Sequence, residues 1–357
     1  MRVKILYIDG TRGFSPTRLG ERPCGGILTS LTIIPRGLAK YGYDVTVLSL
    51  HEKAETVEGV QYKPLTSDLQ LLGKQDIVVF NRNCIDRRTA QYFKNQGAHI
   101  VWWLHDIVDP RYLQDDGYML ADTVVALSRY CRQSYADFYR IPYDKFVLIP
   151  NGVDKSVFRK DANVRRRENL FVTASAPIKG LYPLGFAWHN IRRALPNAEM
   201  RLYSSQKLHE LENSKEQDAQ LTSLAAMGVT IMEPVSQKDL ASVFQEATAL
   251  LMPNSYPEIC SNVLLQAQAC GLPVVARSIG SVPEFIEHRY SGLLTETKPH
   301  DMFWWHKDFA EQCVTLIEDK GLAERISINC DEGVRDWDYV SGLWAGLVDA
   351  VTASEVA

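Results

Sequence analysis

Short apolar segments alternate with helical segments along this chain, and the whole alternation occurs twice. In the first half, strands are predicted at residues 3–8, 45–50, 77–80, 100–104 and 123–127. In the second half, strands are predicted at residues 170–174, 200–203, 229–232, 249–252 and 274–276. Helices are predicted between them at residues 31–41, 129–139, 181–195 and 238–247. The alternation predicts an α/β fold with two parallel sheets, each wrapped by helices.

Length and composition agree with two globular domains. A chain of 357 residues exceeds the size of one usual hydrophobic core. With 46% hydrophobic and 23% charged residues, the composition is that of an ordinary globular protein. Pro150, Asn151 and Gly152 are typical of a turn and predict a hinge between the halves. We therefore predict one domain at residues 1–154, a second at 155–335 and a C-terminal segment at 336–357.

The charge distribution excludes some classes of partner. The net charge of -4 gives no support to nucleic-acid binding through a broad basic surface. The basic clusters at 165–167 and 87–88 are interpreted as solvated surface, although either could contact an anionic membrane. No apolar run approaches the roughly 20 residues needed to cross a bilayer, so any membrane contact is expected to be peripheral. Asp9 interrupts the first apolar run, which predicts a strand and not a signal peptide.

The cysteines indicate the setting in which the chain works. All seven lack Cys-x-x-Cys spacing, which argues against a zinc site or a disulfide framework. A reducing cytoplasm is the expected location, and no metal site is predicted.

The segment at residues 256–276 combines an acidic residue, a helix, a glycine stop and a buried strand. Ser261 or Asn262 can cap the helix, and Gly271 can end it. Helix geometry puts Gln266 about two turns along, on roughly the same side as Glu258. Both polar side chains could line one face of a cleft; the alternative is a crossover helix with two solvated polar groups.

This segment resembles the signature of the family 4 retaining glycosyltransferases of GT-B fold. The matching positions are Pro257, Glu258, Ala267, Gly271, Pro273 and Val274. The chain departs from the pattern at Gln266, where the family usually has a second glutamate. The resemblance implies two Rossmann-like parallel-sheet domains facing a central cleft, with a C-terminal helix that crosses back to the first domain. It also implies a nucleotide-diphosphate sugar as donor substrate and no cofactor.

Two further segments extend the resemblance over nearly the whole chain. Residues 150–154, Pro-Asn-Gly-Val-Asp, are similar to the interdomain element of the same family. Residues 337–339 and the helix predicted at 341–351 are similar to its C-terminal helix.

Gly25 and Gly26 precede a predicted helix after the first strand. Glycines let the backbone approach a ligand closely, and a helix N-terminus offers free N–H groups and a positive dipole to an anion. An ordinary turn is the alternative interpretation. The resemblance implies that these glycines contact the diphosphate or the transferred sugar.

Lys179 follows the strand at residues 170–174 and opens the next helix. A lysine there can neutralise a diphosphate leaving group through charge-assisted hydrogen bonds. A solvated lysine is the alternative. The family commonly carries an arginine about five residues earlier, where this chain has Ala174. Either Lys179 balances more of the charge, or a distant residue such as Arg12, Arg18 or Arg22 contributes.

His105 follows the apolar strand at residues 100–104. Open α/β sheets bind ligands at the carboxyl ends of their strands, although a lone histidine can also be purely structural. The resemblance implies that His105 contacts the donor sugar and that Asp106 positions the ring or the acceptor. Asn151 and Glu284 are the other substrate-proximal candidates, and Glu284 could equally be structural.

The sequence therefore predicts a metal-independent retaining glycosyltransferase that acts on a glycan, lipid-linked or small-molecule acceptor. His105, Glu258 and Lys179 are the predicted catalytic residues. The predicted donor-binding residues are Gly25, Gly26, Lys179, Glu258, Ile259, Cys260, Ser261, Asn262 and Gln266.

Two other classes of protein remain open. A catalytically silent nucleotide-sugar-binding subunit of a glycan assembly complex would account for Gln266 and for the missing arginine. A GT-B epimerase or a nicotinamide dehydrogenase is disfavoured because the first strand is not followed by a Gly-x-Gly-x-x-Gly turn. The nucleotide base, the sugar, the linkage and the oligomeric state are not specified by the sequence.

Overall fold

The computed structural model describes residues 2–10, 15–17, 19, 23–51, 53–109, 111, 113, 115–206, 211–296 and 304–353. The chain forms two compact units. Unit 1 comprises Met1–Leu19, Gly25–Asn151 and Trp337–Ala357, and unit 2 comprises Gly20–Cys24 and Gly152–Asp336. The main divisions thus fall after Asn151 and after Asp336, where the sequence places them after Asp154 and after Arg335.

Unit 1 is built on an eight-stranded sheet. Its strands are β1 (Lys4–Ile8), β2 (Asp44–Ser49), β3 (Glu55–Val57), β4 (Val60–Pro64), β5 (Ile77–Asn81), β6 (His99–Trp103), β7 (Thr123–Ala126) and β8 (Phe146–Leu148). They lie in the order β3-β4-β2-β1-β5-β6-β7-β8. All neighbours pair in parallel except β3 and β4, which form an antiparallel hairpin at the edge.

Helices α1 (Gly26–Lys40), α2 (Arg87–Lys94) and α3 (Arg129–Tyr139) connect strands of this sheet. The central strands are apolar along their whole length because helices and sheet bury them on both faces; every residue of β5 is buried. The strand order reverses between β1 and β5, which makes their carboxyl ends a topological switch point.

Unit 2 is built on a six-stranded, fully parallel sheet. Its strands are β9 (Leu170–Ala174), β10 (Glu199–Tyr203), β11 (Val229–Met232), β12 (Ala249–Met252), β13 (Val274–Arg277) and β14 (Leu293–Thr295). Its helices are α4 (Pro177–Ala194), α5 (Lys215–Ala226), α6 (Gln237–Glu246), α7 (Asn262–Ala269), α8 (Val282–Phe285), α9 (Trp305–Glu318) and α10 (Lys320–Asn329). The core between the sheet and its helices includes Phe171, Trp188 and Phe309, all fully buried.

The strand order of unit 2 is that of a dinucleotide-binding Rossmann sheet. The order β11-β10-β9-β12-β13-β14 corresponds to 3-2-1-4-5-6. The switch point lies between β9 and β12, so the residues that follow these two strands are brought together at the carboxyl edge.

The C-terminal helix α11 (Trp337–Ala353) belongs to unit 1. It packs on α1, where Gly37 leaves room for Ser341. Trp344 packs edge-to-face on Trp103 with ring centroids 4.9 Å apart. Tyr43 donates a hydrogen bond to Asp349 at 2.6 Å.

The predicted fold class is confirmed: the chain has two parallel-sheet α/β domains. Several element bounds differ from the predictions. The helices predicted at 31–41, 181–195 and 341–351 begin earlier, at Gly26, Pro177 and Trp337. The sequence reasoning did not find β3, β4, β8, α2, α5, α8, α9 or α10.

The lengths of the helices and the state of the cysteines can be compared with the sequence predictions. Across the described ranges, every helix falls short of the length and apolarity that crossing a bilayer requires. All seven cysteines are free thiols, and burial raises the pKa of Cys84, Cys270 and Cys330 to about 12.

Candidate functional site

The carboxyl edge of the unit 2 sheet carries two of the predicted catalytic residues. After β9 the chain enters α4, and Pro177 occupies its first turn, where a missing N–H costs nothing. Lys179 lies in the same turn, which contains no acidic residue. After β12 the chain forms a loop that ends at Glu258. Both strands flank the switch point, so their following residues meet there.

Lys179 and Glu258 form an ion pair. The Lys179 Nζ lies 2.8 Å from Glu258 Oε2. The Glu258 side chain is only 5% exposed, whereas that of Lys179 is 31% exposed. Asn254 donates its side-chain N–H to the other carboxylate oxygen, Oε1, at 2.8 Å. Both oxygens of this buried carboxylate are therefore bound, one by a cation and one by a neutral amide.

The backbone around Glu258 is fixed from a neighbouring turn. Glu258 forms a parallel bridge with Gly280, and the Ser281 N–H donates to the Glu258 carbonyl at 2.7 Å. Gly280 has a φ of +62°, and a Cβ at this position would collide with the Glu258 backbone. Only glycine fits here. Glu284 lies half-buried in the short helix α8 that follows this turn.

Arg277 was not identified from the sequence. It ends β13 with 6% exposure, donates from Nη1 to the Asn254 carbonyl at 2.9 Å, and stacks over the Trp305 ring at 4.3 Å. Burial lowers its pKa. Arg277 thus anchors the residue that in turn holds Glu258. The only signal in the sequence was a charged residue at the end of an apolar strand.

The signature helix α7 begins at Asn262, with Ser261 at the N-cap position. Ser261, one of the two predicted alternatives, is therefore the N-cap residue, although its hydroxyl makes no capping hydrogen bond. Gly271 ends the helix with a φ of +64°, as predicted. Ile259, Cys260 and Ser261 are buried.

Gln266 is only 9% exposed, and Glu258 is 4% exposed as a whole residue. The alternative of two solvated polar groups on a crossover helix is therefore wrong. Both are polar side chains that the fold of unit 2 keeps largely away from solvent.

Unit 1 has its own polar cluster at the carboxyl edge. Asn81 ends β5 and donates to the buried Asp9 carboxylate at 2.7 Å. Arg82 follows with a φ of +56°, in the left-handed region that non-glycine residues rarely adopt. Its Nε donates to Asp106 Oδ2 at 2.7 Å and its Nη2 to Oδ1 at 3.2 Å. Sequence reasoning found Asp106 but missed Asn81 and Arg82.

His105 packs edge-on against Trp103, with ring centroids 4.3 Å apart. Its Nε2 atom is buried and has no hydrogen-bond partner among the described residues. Burial, with a smaller contribution from Arg82, lowers the pKa of His105 to about 3. The imidazole is therefore neutral at neutral pH, and it can act as a hydrogen-bonding group but not as a cation.

The predicted diglycine lies at the start of α1. Gly25 is the N-cap residue with an extended backbone, and Gly26 is the first helical residue. The Ser30 hydroxyl lies 3.0 Å from the Gly26 carbonyl and 3.2 Å from Asn151 Oδ1, so it can donate to either. Asn151 is thereby held beside the first turn of α1. Arg12, Arg18 and Arg22 lie outside the described residues.

A small concavity, open to solvent, lies beside the Arg82–Asp106 pair in unit 1. Tyr135 and Tyr139 contribute aromatic surface to it. The Tyr135 hydroxyl donates to the Asp106 carbonyl at 3.1 Å. Aromatic surface beside a charged pair is a suitable environment for a sugar ring, whose C–H faces are apolar and whose hydroxyls are polar.

We searched the described residues for a group of side chains that could bind a metal ion. Within those ranges, no three His, Cys, Asp or Glu side chains are grouped so that they could hold a metal ion.

The fold, and one part of the sequence, are similar to those of known proteins. Two Rossmann-like units of this kind form the GT-B fold of glycosyltransferases. Residues 166–319 match the family described as "Glycosyl transferases group 1". This range contains Lys179, Asn254, Glu258, Gln266 and Arg277.

Solved structures share the fold over nearly the whole chain. Sucrose-phosphate synthase from Thermosynechococcus elongatus superposes with a TM-score of 0.79 at 17% identity, over 99% of this chain and 100% of that one. The Anabaena protein HepE, solved in complex with UDP-glucose, gives a TM-score of 0.73 at 17% identity, over 98% and 100%. At such identities the likeness establishes the fold alone.

A sequence relative is similar over a shorter range. A D-inositol 3-phosphate glycosyltransferase of Pseudarthrobacter chlorophenolicus is 33% identical over 171 residues, which is 44% of this chain and 40% of that protein. The chain spans about half the length of the curated relatives it matches.

Proposed function

We propose that the chain is a retaining glycosyltransferase that moves a sugar from a nucleotide-diphosphate sugar to a glycan, lipid-linked or small-molecule acceptor. The observation that carries the proposal is the ion pair of Lys179 and Glu258, 2.8 Å apart at the switch point of the unit 2 sheet. Ligands of open α/β sheets bind at this position. The match of residues 166–319 to glycosyl transferases group 1 supports the same assignment.

Lys179 is the proposed ligand of the diphosphate. Its ammonium is the more exposed partner of the ion pair, and it stands in the first turn of α4. The free N–H groups and the dipole of that helix end add to its positive field. Negative charge grows on the diphosphate as the bond to the sugar breaks, so a fixed cation here lowers the barrier. The reaction would then need no metal ion.

Glu258 is the proposed partner of the donor sugar. Its carboxylate is held in one orientation by Asn254 and Lys179, so it can accept hydrogen bonds from sugar hydroxyls without reorganising. Negative charge beside the ring also stabilises an oxocarbenium-like transition state. In the front-face reaction that we propose, the leaving phosphate oxygen takes the proton of the acceptor hydroxyl. The new bond then forms on the face that the phosphate leaves, and the configuration is retained.

We propose that His105 contacts the donor sugar as a neutral group, in keeping with its pKa of about 3. The concavity beside Asp106, with its two tyrosines, is the proposed place for an acceptor sugar ring. Gly25 and Gly26 are proposed to contact the diphosphate or the sugar. The solved complex of HepE with UDP-glucose supports a nucleotide sugar as the donor.

Gln266 is the proposed ribose contact. A glutamine retains one carbonyl acceptor for a ribose hydroxyl, but it lacks the charge of a glutamate. The loss is on the order of 1 kcal/mol, which weakens donor binding without preventing it. The same residue is the observation that favours the second candidate, a silent nucleotide-sugar-binding subunit.

The test is a donor and acceptor panel. Purified protein is incubated with UDP-, GDP-, dTDP- and ADP-sugars and candidate acceptors, with and without a chelator, while nucleotide release, product mass and anomeric configuration are measured. We expect transfer with retention that the chelator does not reduce. Lys179→Ala and Glu258→Ala should abolish it. Lys238→Ala, in the first turn of α6, is the matched control and should leave it unchanged.

Other outcomes would change the assignment. Donor binding without turnover across the panel, unaltered by Gln266→Glu, identifies the silent subunit. An inverted product or a reaction that the chelator stops would contradict the proposed mechanism but not the transferase class.

A further inference from the structure

The outer face of α4 presents large apolar side chains to solvent. Ile178, Tyr182 and Phe186 recur every four residues, so they lie on one face of the helix. Their exposed fractions are 66%, 68% and 48%. The Tyr182 and Phe186 rings pack on each other with centroids 5.1 Å apart. A face of this kind is unusual on helices that otherwise bury their apolar residues.

The start of α9 extends this face. α9 packs beside α4, and the His306 ring lies 5.9 Å from the Phe186 ring. Trp304, the N-cap residue of α9, is 57% exposed, and the Lys307 ammonium lies 4.2 Å from its ring centre. We name the four side chains Ile178, Tyr182, Phe186 and Trp304 the α4–α9 patch. Contiguous exposed apolar surface of this kind indicates an interaction site.

The charges around the patch are mainly positive. Apart from Lys179, which is paired with Glu258, α4 contains Arg192 and Arg193 and no acidic residue, in a chain whose net charge is -4. His189 and Arg193 are exposed along the same helix, beyond Phe186. Lys307 adds a cation at Trp304, and Asp308 is the acidic neighbour of His306.

We propose that the α4–α9 patch binds the surface of a lipid bilayer with anionic headgroups. Tryptophan and tyrosine favour the membrane interface, because their amphipathic rings sit at the level of the headgroups. The exposed cations Arg193 and Lys307 complement the phosphates of anionic lipids. A surface with aromatic anchors and exposed cations therefore fits a lipid surface. This proposed binding to a bilayer goes beyond the proposed transferase activity, and it does not depend on that activity.

The position of the patch has a consequence for the acceptor, and this step does rest on the proposed function. Ile178 directly precedes Lys179, the proposed ligand of the diphosphate. A bilayer bound at the patch would therefore lie beside the donor end of unit 2. Among the three acceptor types, this position favours the lipid-linked one.

The test is sedimentation of the full chain with vesicles. Vesicles of phosphatidylcholine alone are compared with vesicles of equal parts phosphatidylcholine and phosphatidylglycerol, at low and high salt. The full chain should sediment with the anionic vesicles, less so at high salt, because salt screens the attraction. The triple variant Tyr182→Ser/Phe186→Ser/Trp304→Ser should bind at least about tenfold more weakly, since each side chain loses apolar contact with the bilayer.

The matched control replaces three residues of similar exposure away from the patch. Leu71, Phe138 and Ile328 are 75%, 53% and 59% exposed. The variant Leu71→Ser/Phe138→Ser/Ile328→Ser should bind vesicles as the unaltered chain does. Lys307→Glu/Arg193→Glu should lose the preference for anionic vesicles while retaining its fold, checked by circular dichroism.

Three results would overturn the proposal. The first is no sedimentation of the full chain with anionic vesicles. The second is equal binding by the patch variant. The third is a concentration-dependent dimer in analytical ultracentrifugation that the patch variant abolishes without any vesicle binding, which would assign the patch to a second copy of the chain. Nucleotide release with a water-soluble acceptor should be the same in the patch variant, so failure of this inference is separable from failure of the transferase assignment.

Discussion

Asn254 and Lys179 each hold one of the two carboxylate oxygens of Glu258, both at 2.8 Å. Asn254 is itself 2% exposed, and its carbonyl is bound by the buried Arg277. Gly180, next to Lys179, has no side chain, and a Cβ there would lie 3.2 Å from Asn254 Oδ1. The sequence resemblance highlights only Lys179 and Glu258, but the structure adds a second layer of residues that fixes them.

Asn254 should act as a positioning residue for Glu258. The variant Asn254→Leu keeps the size of the side chain but removes the N–H donor, so one buried carboxylate oxygen loses its partner. We expect kcat to fall about tenfold or more, with little change in KM, because the geometry at the sugar is lost and the diphosphate contact remains. Steady-state kinetics on the donor identified by the panel measures both constants.

Two comparison variants make this prediction specific. Asn254→Asp removes the N–H donor and places a second carboxylate against Glu258, so kcat should fall at least as much as in Asn254→Leu. Asn163→Leu, an exposed asparagine of unit 2, should change nothing. An Asn254→Leu variant with unaltered kcat would show that Glu258 does not need this hydrogen bond.

Glu258→Gln should raise the affinity for free nucleoside diphosphate while it abolishes transfer. In the ligand-free protein the charge of Lys179 is balanced by Glu258, so a diphosphate must compete for the ammonium. Removing the carboxylate charge frees Lys179, and we expect about fivefold tighter binding. Isothermal titration calorimetry with the four nucleoside diphosphates measures this affinity.

Two further variants serve as controls. Lys179→Met should weaken nucleoside diphosphate binding, and Glu287→Gln, which changes an exposed residue, should leave the affinity unchanged. Weaker binding by Glu258→Gln would mean that the ion pair does not compete with the ligand.

Gly37→Ala should destabilise unit 1. An added Cβ would lie 2.6 Å from the Cβ of Ser341, where α1 packs on α11. Overpacking of this kind costs about 1–3 kcal/mol. Gly346→Ala, on the exposed side of α11 with nothing near its Cβ, should be neutral or stabilising by up to about 1 kcal/mol, because alanine favours helices. Urea denaturation of both variants gives the comparison.

The double variant Gly37→Ala/Ser341→Gly tests whether the clash with Ser341 is the cause of the lost stability. Removing the Ser341 side chain makes room for the new methyl group, so much of the lost stability should return. A double variant no more stable than Gly37→Ala would show that the contact between α1 and α11 is not what the alanine disturbs.

The parts of the fold that were predicted from sequence are the buried parallel strands. The bounds of β9 and β12 agree with the prediction, because strands buried on both faces are continuous apolar runs. The bounds of the edge strand β11 also agree, although two of its four residues are exposed. The hairpin of β3 and β4 was missed, because the edge strand β3 has only three residues and its neighbour Val60–Pro64 keeps polar residues, so both resemble a loop. The helix α2 was missed for a similar reason: its eight residues are mostly polar.

The site was predictable only where a motif marks it. Lys179 and Glu258 each stand at a recognisable junction of strand and helix, and the structure brings them into contact across 79 positions of sequence. No sequence motif identifies Asn254, Arg277 or Arg82, because their roles depend on which strands are neighbours in the sheet. The buried state of Gln266 and the neutral state of His105 likewise follow from packing that a single sequence does not display.

Protonation of His105 should oppose folding of unit 1 at acid pH. Burial lowers its pKa in the folded chain to about 3, against an ordinary value of 6.5. Below pH 6.5 the unfolded chain therefore binds more protons, so the contribution is fully present above that pH and is lost as the pH falls towards 3. The loss should be on the order of 1 kcal/mol per pH unit in this window.

The variant His105→Phe keeps an aromatic ring against Trp103 but cannot titrate, so its urea midpoint should fall less between pH 7 and pH 5 than that of the unaltered chain. His189→Phe, which replaces an exposed histidine, should keep the original pH dependence. An equal fall in the His105→Phe variant and the unaltered chain would show that this imidazole is free to take up a proton in the folded state.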